Sequence, residues 1–118
     1  MKKILLADDS VISRNLIKTL LLKSYEVVES ENANDALTIA KNNEIDLFLL
    51  DLNMPDMDGI SLTKEIRKDP KNSQKPIIIL TSEVRNEKKQ EGKEAGITGW
   101  IVKDVDQEKI LEVINRII

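Results

Sequence analysis

The chain has 118 residues, enough for one ordinary domain over 1–118 and too few for a second. Hydrophobic residues make up 41% and charged residues 33%, a globular rather than a disordered composition, and with aromatics at 3% the core must be Ile, Leu and Val and base-stacking modules are disfavoured. A net charge of −3 gives no basic footprint for nucleic acid or membrane, and the absence of Cys and His removes disulfides, thiolate metal sites and imidazole catalysis.

The first apolar run, Ile4-Leu5-Leu6-Ala7, reads as a strand and meets Asp8-Asp9 at once. It is too short for a signal peptide, and no run approaches the ~20 residues of a membrane span, so cytoplasmic residence is the default expectation. Ser10 can cap a helix over about 11–23, with Ile12, Leu16, Leu20, Ile17 and Leu21 on one side. Tyr25 to Glu29 is a second strand, and Asn32 can cap a helix through about Asn42 with Ala36, Leu37 and Ala40 inward. Ile45 to Leu50 reads as a central strand buried on both faces. After a turn-rich loop from Asn53 to Gly59, a third helix runs over about 60–68 and stops before Asp69-Pro70.

Pro76 to Leu80 is a fourth strand. A nearly all-polar helix follows over about 86–95, with Gly96 as a left-handed terminator; Gly92 inside it costs roughly 1 kcal/mol relative to Ala, which makes this the least stable helix and a moving part. Gly99 to Val102 is the fifth strand. The last helix spans about 105–117 with Ile110, Ile114 and Ile117 on one stripe, and Asp104 with Gln107 resembles a capping box. Strands alternating with helices predict an α/β, doubly wound, flavodoxin-like fold: a five-stranded parallel sheet, order 2-1-3-4-5, with five helices on both faces.

Ligands bind such sheets beyond the carboxyl ends of the strands. There the first strand ends in Asp8-Asp9, the third in Asp51, the fourth in Thr81-Ser82 and the fifth in Lys103. Two carboxylates ~5 Å apart at an effective dielectric of ~20 repel by roughly 3 kcal/mol, so a gathered triad must raise a pKa, lean on Lys103 or hold a cation. Mg²⁺ suits such oxygen donors. A carboxylate beside Mg²⁺ and an ammonium is placed to attack phosphorus. Singly, each residue has a plainer reading: Asp8 and Asp9 at a helix start, Asp51 in a turn, Thr81 as a cap, Lys103 in solvent, Trp100 as an anchor. Four ordered signals at four strand ends weigh against chance.

The segment Asp51-Leu52-Asn53-Met54-Pro55-Asp56-Met57-Asp58-Gly59, with Asp8-Asp9, Thr81-Ser82 and Trp100-Ile101-Val102-Lys103, resembles a response-regulator receiver domain of two-component signalling, of the stand-alone chemotaxis type, over essentially the whole chain. The resemblance implies roles. Asp51 would accept a phosphoryl group from a phosphohistidine on a sensor histidine kinase. Asp9 and Asp51, with the backbone carbonyl of Asn53, would bind Mg²⁺, and Asp8 would act through a metal-bound water. Lys103 would pair with the phosphoryl oxygens, and Thr81 would hydrogen-bond them after transfer. Thr81 and Trp100 would form the switch pair, changing a face made by the fourth helix, fifth strand and fifth helix toward a downstream target protein. Asn53 and Glu83 occupy the positions that tune dephosphorylation. The chain departs from the family in having Trp rather than Tyr or Phe at 100, and Asp104 where Pro follows the lysine. Either a trans Lys103–Asp104 bond with a rearranged loop or a strained cis bond is expected there.

Three rivals were weighed. A Mg²⁺-dependent aspartyl-phosphate hydrolase would carry its nucleophile after the first strand with a second Asp two residues on, whereas Asp8 and Asp9 are adjacent. A flavin mononucleotide binder would want a Ser/Thr/Gly-rich loop there. A degenerate receiver, binding partners independently of phosphorylation, is disfavoured by the full acidic set but kept open by Asp104. The sequence therefore reads as a phosphoacceptor rather than an enzyme, with no nucleic-acid or membrane partner.

Overall fold

A computed structural model describes residues 1–82, 85–103 and 107–118. Its strands are β1 (Lys3–Ala7), β2 (Glu26–Ser30), β3 (Leu47–Asp51), β4 (Ile77–Thr81) and β5 (Gly99–Val102). The helices between and after them are α1 (Val11–Leu21), α2 (Ala33–Asn42), α3 (Gly59–Arg67), α4 (Asn86–Ala95) and α5 (Gln107–Ile117). All strand pairs are parallel, in the order β2-β1-β3-β4-β5. Parallel neighbours require crossovers, and each crossover here is a helix laid on one face of the sheet.

Alternation along the strands divides the core in two. Ile4, Leu6, Leu47, Leu49, Ile78, Leu80 and Ile101 face α1 and α5, where they meet Ile17, Leu21, Ile110 and Ile114. Leu5, Ala7, Phe48, Leu50, Ile77 and Ile79 face α2, α3 and α4. Being covered on both sides, β3 and β4 are buried at every position, which is why they read as unbroken apolar runs.

The helix starts follow the sequence. Ser10 caps α1, Asn32 caps α2 and Asp58 caps α3, each side chain accepting an N–H three residues on. Gly96 ends α4 at φ 94°, in the left-handed region. Helix α3 stops before Asp69-Pro70 as expected, and a single turn of 3-10 helix at Pro70–Asn72 follows it. One expectation needs correction. On α1, Ile17 and Leu21 are buried, but Ile12 is 76% and Leu16 51% exposed. The five apolar residues assigned to one side span about half the helix circumference, and a sheet covers only a stripe of roughly 100°. The expected capping box at Asp104 lies outside the described residues.

Candidate functional site

Asp8 leaves the end of β1 with its N–H bonded to Ser30 O at 3.0 Å. Its carboxylate is fully buried. Oδ1 accepts the Ser10 N–H at 3.0 Å, while Oδ2 accepts the Ser13 hydroxyl at 2.6 Å and Lys103 Nζ at 3.2 Å. The first turn of α1 therefore does two jobs: Ser10 Oγ caps the helix, and Ser13 Oγ pins the acid behind it. Nothing in the sequence reading singled out Ser13. Its signal is a short hydroxyl on the first helical turn, one turn beyond Asp8-Asp9. Arg14 adds a bond from its guanidinium to the Asp8 carbonyl, at 2.7 Å.

Asp51 ends β3 and is 5% exposed. Its Oδ1 lies 3.3 Å from the same Lys103 Nζ, so one ammonium stands between two buried carboxylates. Asp9 is exposed and completes the group: Asp8, Asp9 and Asp51 each offer an oxygen, all within 4.8 Å of one another. Thr81 ends β4 and is buried, and its carbonyl accepts the Lys103 N–H at 2.7 Å. The structure thus brings Asp8, Asp9, Asp51, Thr81 and Lys103 to one edge of the sheet, as the strand order predicts. Asn53 is exposed beside them, lining with Leu52, Thr81, Arg85 and Lys88 a cavity of about 280 Å³.

The Asp51 carboxyl is pushed up to about 6 from its ordinary 3.8. Burial is the main cause; Lys103 works against it, and the Asp8 charge and a hydrogen bond with Asp9 work with it. Three carboxylates against one ammonium leave excess negative charge on hard oxygen donors, which fits a hard divalent cation rather than a thiophilic one. A larger recess of about 370 Å³ beside Arg14, Glu29 and Asp35 offers no such cluster, since Arg14 and Lys18 hold the Glu29 carboxylate at 3.2 and 2.7 Å.

The loop from Asn53 to Asp58 is fixed to the body of the domain. Leu52 N–H bonds Leu80 O and Gly59 N–H bonds Leu52 O, both at 2.8 Å. A Cβ at Gly59 would stand 2.6 Å from Asp51 O, so glycine lets α3 begin against the end of β3. Met54 and Met57 pack into the core. Trp100 is half-buried against α4, and a Cβ at Gly92 would meet its Cζ2 at 2.6 Å. Glu83 and the Lys103–Asp104 peptide lie outside the described residues.

A model of the family described as the response regulator receiver domain matches residues 4–115. The chain belongs to that family. Protein PilH of Pseudomonas aeruginosa is 32% identical to it over 119 residues, spanning 100% of this chain and 98% of PilH. The structure of chemotaxis response regulator CheY4 of Vibrio cholerae superposes with a TM-score of 0.94 at 37% identity, covering 100% of this chain and 99% of that one. A third relative, the receiver domain of the sensor histidine kinase PA1611 of Pseudomonas aeruginosa, superposes with a TM-score of 0.90 at 26% identity, over 98% and 96% of the two chains, and was solved with a magnesium ion in its active-site cleft. Among the described residues of this chain, no helix is long and apolar enough to cross a membrane.

Proposed function

We propose that this receiver domain accepts a phosphoryl group on Asp51 from a sensor kinase's phosphohistidine, with Mg²⁺ in the carboxylate cluster, and passes the change to a protein-binding face at α4, β5 and α5. The observation that carries the reading is the pairing of Asp8 and Asp51 through one lysine, with Asp9 beside them. Asp8 has three donors on its two oxygens. Such an acid is a fixed scaffold and a poor nucleophile. Asp51 is held by Lys103 alone among the described cations, and Leu52 and Asn53, which follow it, line a cavity with Thr81. With its pKa about 6 it is mostly ionised at neutral pH and able to attack.

In the transfer an Asp51 oxygen forms the new O–P bond as the N–P bond of the donor breaks, and the imidazole leaves with the electron pair and takes up a proton. Lys103 would follow the charge onto the phosphoryl oxygens, and the Thr81 hydroxyl would donate to them afterwards. Asp9 and Asp51, with the Asn53 carbonyl, are the groups that would hold Mg²⁺, Asp8 assisting through water. When bound there, Mg²⁺ would supply charge neutralisation. Switching would run through Thr81 and Trp100, and Asn53 with Glu83 would set the lifetime of the acyl phosphate.

The test is labelling by acetyl phosphate with Mg²⁺. The wild-type chain takes up one phosphoryl group, and Asp51→Asn takes up none while remaining folded; labelling of the variant at the wild-type rate overturns the assignment.

A further inference from the structure

Asp56 sits at the tip of the loop that carries Asn53, and its carboxylate reaches across to another helix. Oδ1 accepts the Ala33 N–H at 3.0 Å and Oδ2 the Asn34 N–H at 2.8 Å, partners 23 and 22 residues away. These are first-turn amides of α2, which have no acceptor within their own helix. The helix already owns a cap, since Asn32 Oδ1 accepts the Asp35 N–H at 2.8 Å. Asp56 is therefore more than a helix start signal: it is a two-pronged tie between α2 and the loop beside the acceptor. The two amide bonds hold its carboxyl below the ordinary carboxylate range, so the tie is made by the charged form.

The rest of the loop is fixed at its ends. Gly59 N–H bonds Leu52 O, and Asp58 Oδ1 accepts the Ser61 N–H at 2.7 Å. Between those ends, Asn53 and Pro55 are exposed. Packing by Met54 and Met57 limits the loop's depth, and the bonds from Asp56 limit its tip laterally. Resting on the acceptor role of Asp51, we infer that Asp56 is a positioning residue for the phosphoryl-transfer site, clamping the loop to α2 so that the Asn53 backbone keeps a fixed place beside the carboxylate cluster. Groups that orient metal-binding atoms from behind typically change metal affinity tenfold or more when removed.

The test compares Mg²⁺ binding by calorimetry, with Mg²⁺ as the sole added ligand, and acetyl phosphate labelling at saturating Mg²⁺. Three full-length variants are used: Asp56→Ala, Asp56→Asn and Asn32→Ala. Asp56→Ala should weaken Mg²⁺ binding roughly tenfold while the labelling rate at saturation falls much less. Asp56→Asn keeps one acceptor oxygen and loses the second, and should recover part of the affinity. Asn32→Ala removes the helix's other cap, lowering the melting temperature by a similar amount with Mg²⁺ affinity unchanged. The proposal is overturned if Asp56→Ala loses only thermal stability, as a plain cap would. It is equally overturned if Asp56→Asn binds Mg²⁺ as weakly as Asp56→Ala, which would assign the effect to through-space charge. An unlabelled wild-type chain would remove the acceptor reading of Asp51 and leave the Mg²⁺ comparison standing by itself.

Discussion

Helices α3 and α4 lie side by side on one face of the sheet and are built to different standards. The nine-residue α3 buries Gly59, Ile60, Leu62, Thr63 and Ile66, and Asp58 caps its start. Of the ten residues of α4 only Gly92 and Ala95 are buried, and its N-cap position, Arg85, gives no side-chain capping bond. The C-terminal end of α4 is tied, because Arg67 on α3 donates from its guanidinium to Gly96 O at 2.7 Å. So α4 is tied to α3 at its far end and buries little of its own length. The domain buries far more of one wall, α3, than of the other, α4, a division that would leave α4 the easier of the two to displace.

The largest expected effect tests the first half of that division. Leu62→Ala empties a fully buried position and should lower unfolding free energy by about 2–5 kcal/mol in urea titrations. Lys89→Ala on α4 removes a surface side chain and should change it by less than about 0.5 kcal/mol. Similar costs at the two positions would break the comparison.

Asp51 sharpens it through pH. The folded-state pKa of about 6 lies above the ordinary 3.8, so the folded chain binds this proton more tightly than the unfolded one. Stability from this group is therefore greatest at low pH, declines as pH rises from about 4 through about 6, and stays low above. Asp51→Asn should flatten that decline and raise the melting temperature at pH 8 without Mg²⁺, by an effect on the order of 1–2 kcal/mol, and Mg²⁺ should narrow the gap. Hydrogen exchange separates the walls. Well-buried α3 should open with the whole domain, so its amides should gain protection in the variant; amides of the thinly buried α4, expected to open locally, should not.

Much of this was legible in the residues. Alternating apolar runs and amphipathic stretches fixed five strands, five helices and their order, because a parallel sheet has few ways to cover both faces. The acidic cluster was legible too, since every strand end in such a sheet points to one edge. Ser13 and Asp56 were not. Their importance comes from bonds to atoms 5 and 23 residues away, and nothing local distinguishes a serine in a first turn or an aspartate in a loop from a solvated one. The exposed Ile12 and Leu16 were misassigned for a related reason: periodicity gives the angle between residues but not which part of a broad apolar arc the sheet will cover.

Gly92 gives the smallest and most discriminating test. In a free helix interior, replacing Gly by Ala gains about 1 kcal/mol. Here the added methyl would meet Trp100 Cζ2 at 2.6 Å and Ile97 Cδ1 at 2.8 Å. The isoleucine can turn aside, but the indole is rigid and half-buried, so α4 must lift or the ring must leave. We expect Gly92→Ala to be neutral or slightly destabilising, with Trp100 emission shifted toward that of an exposed indole. In a Trp100→Leu background the obstruction is gone, and the same substitution should gain up to about 1 kcal/mol; that reversal of sign is the coupling energy between helix and ring. If Gly92→Ala stabilises the wild-type chain fully and leaves the emission unchanged, α4 does not rest on Trp100, and its looseness must come from its polar sequence alone.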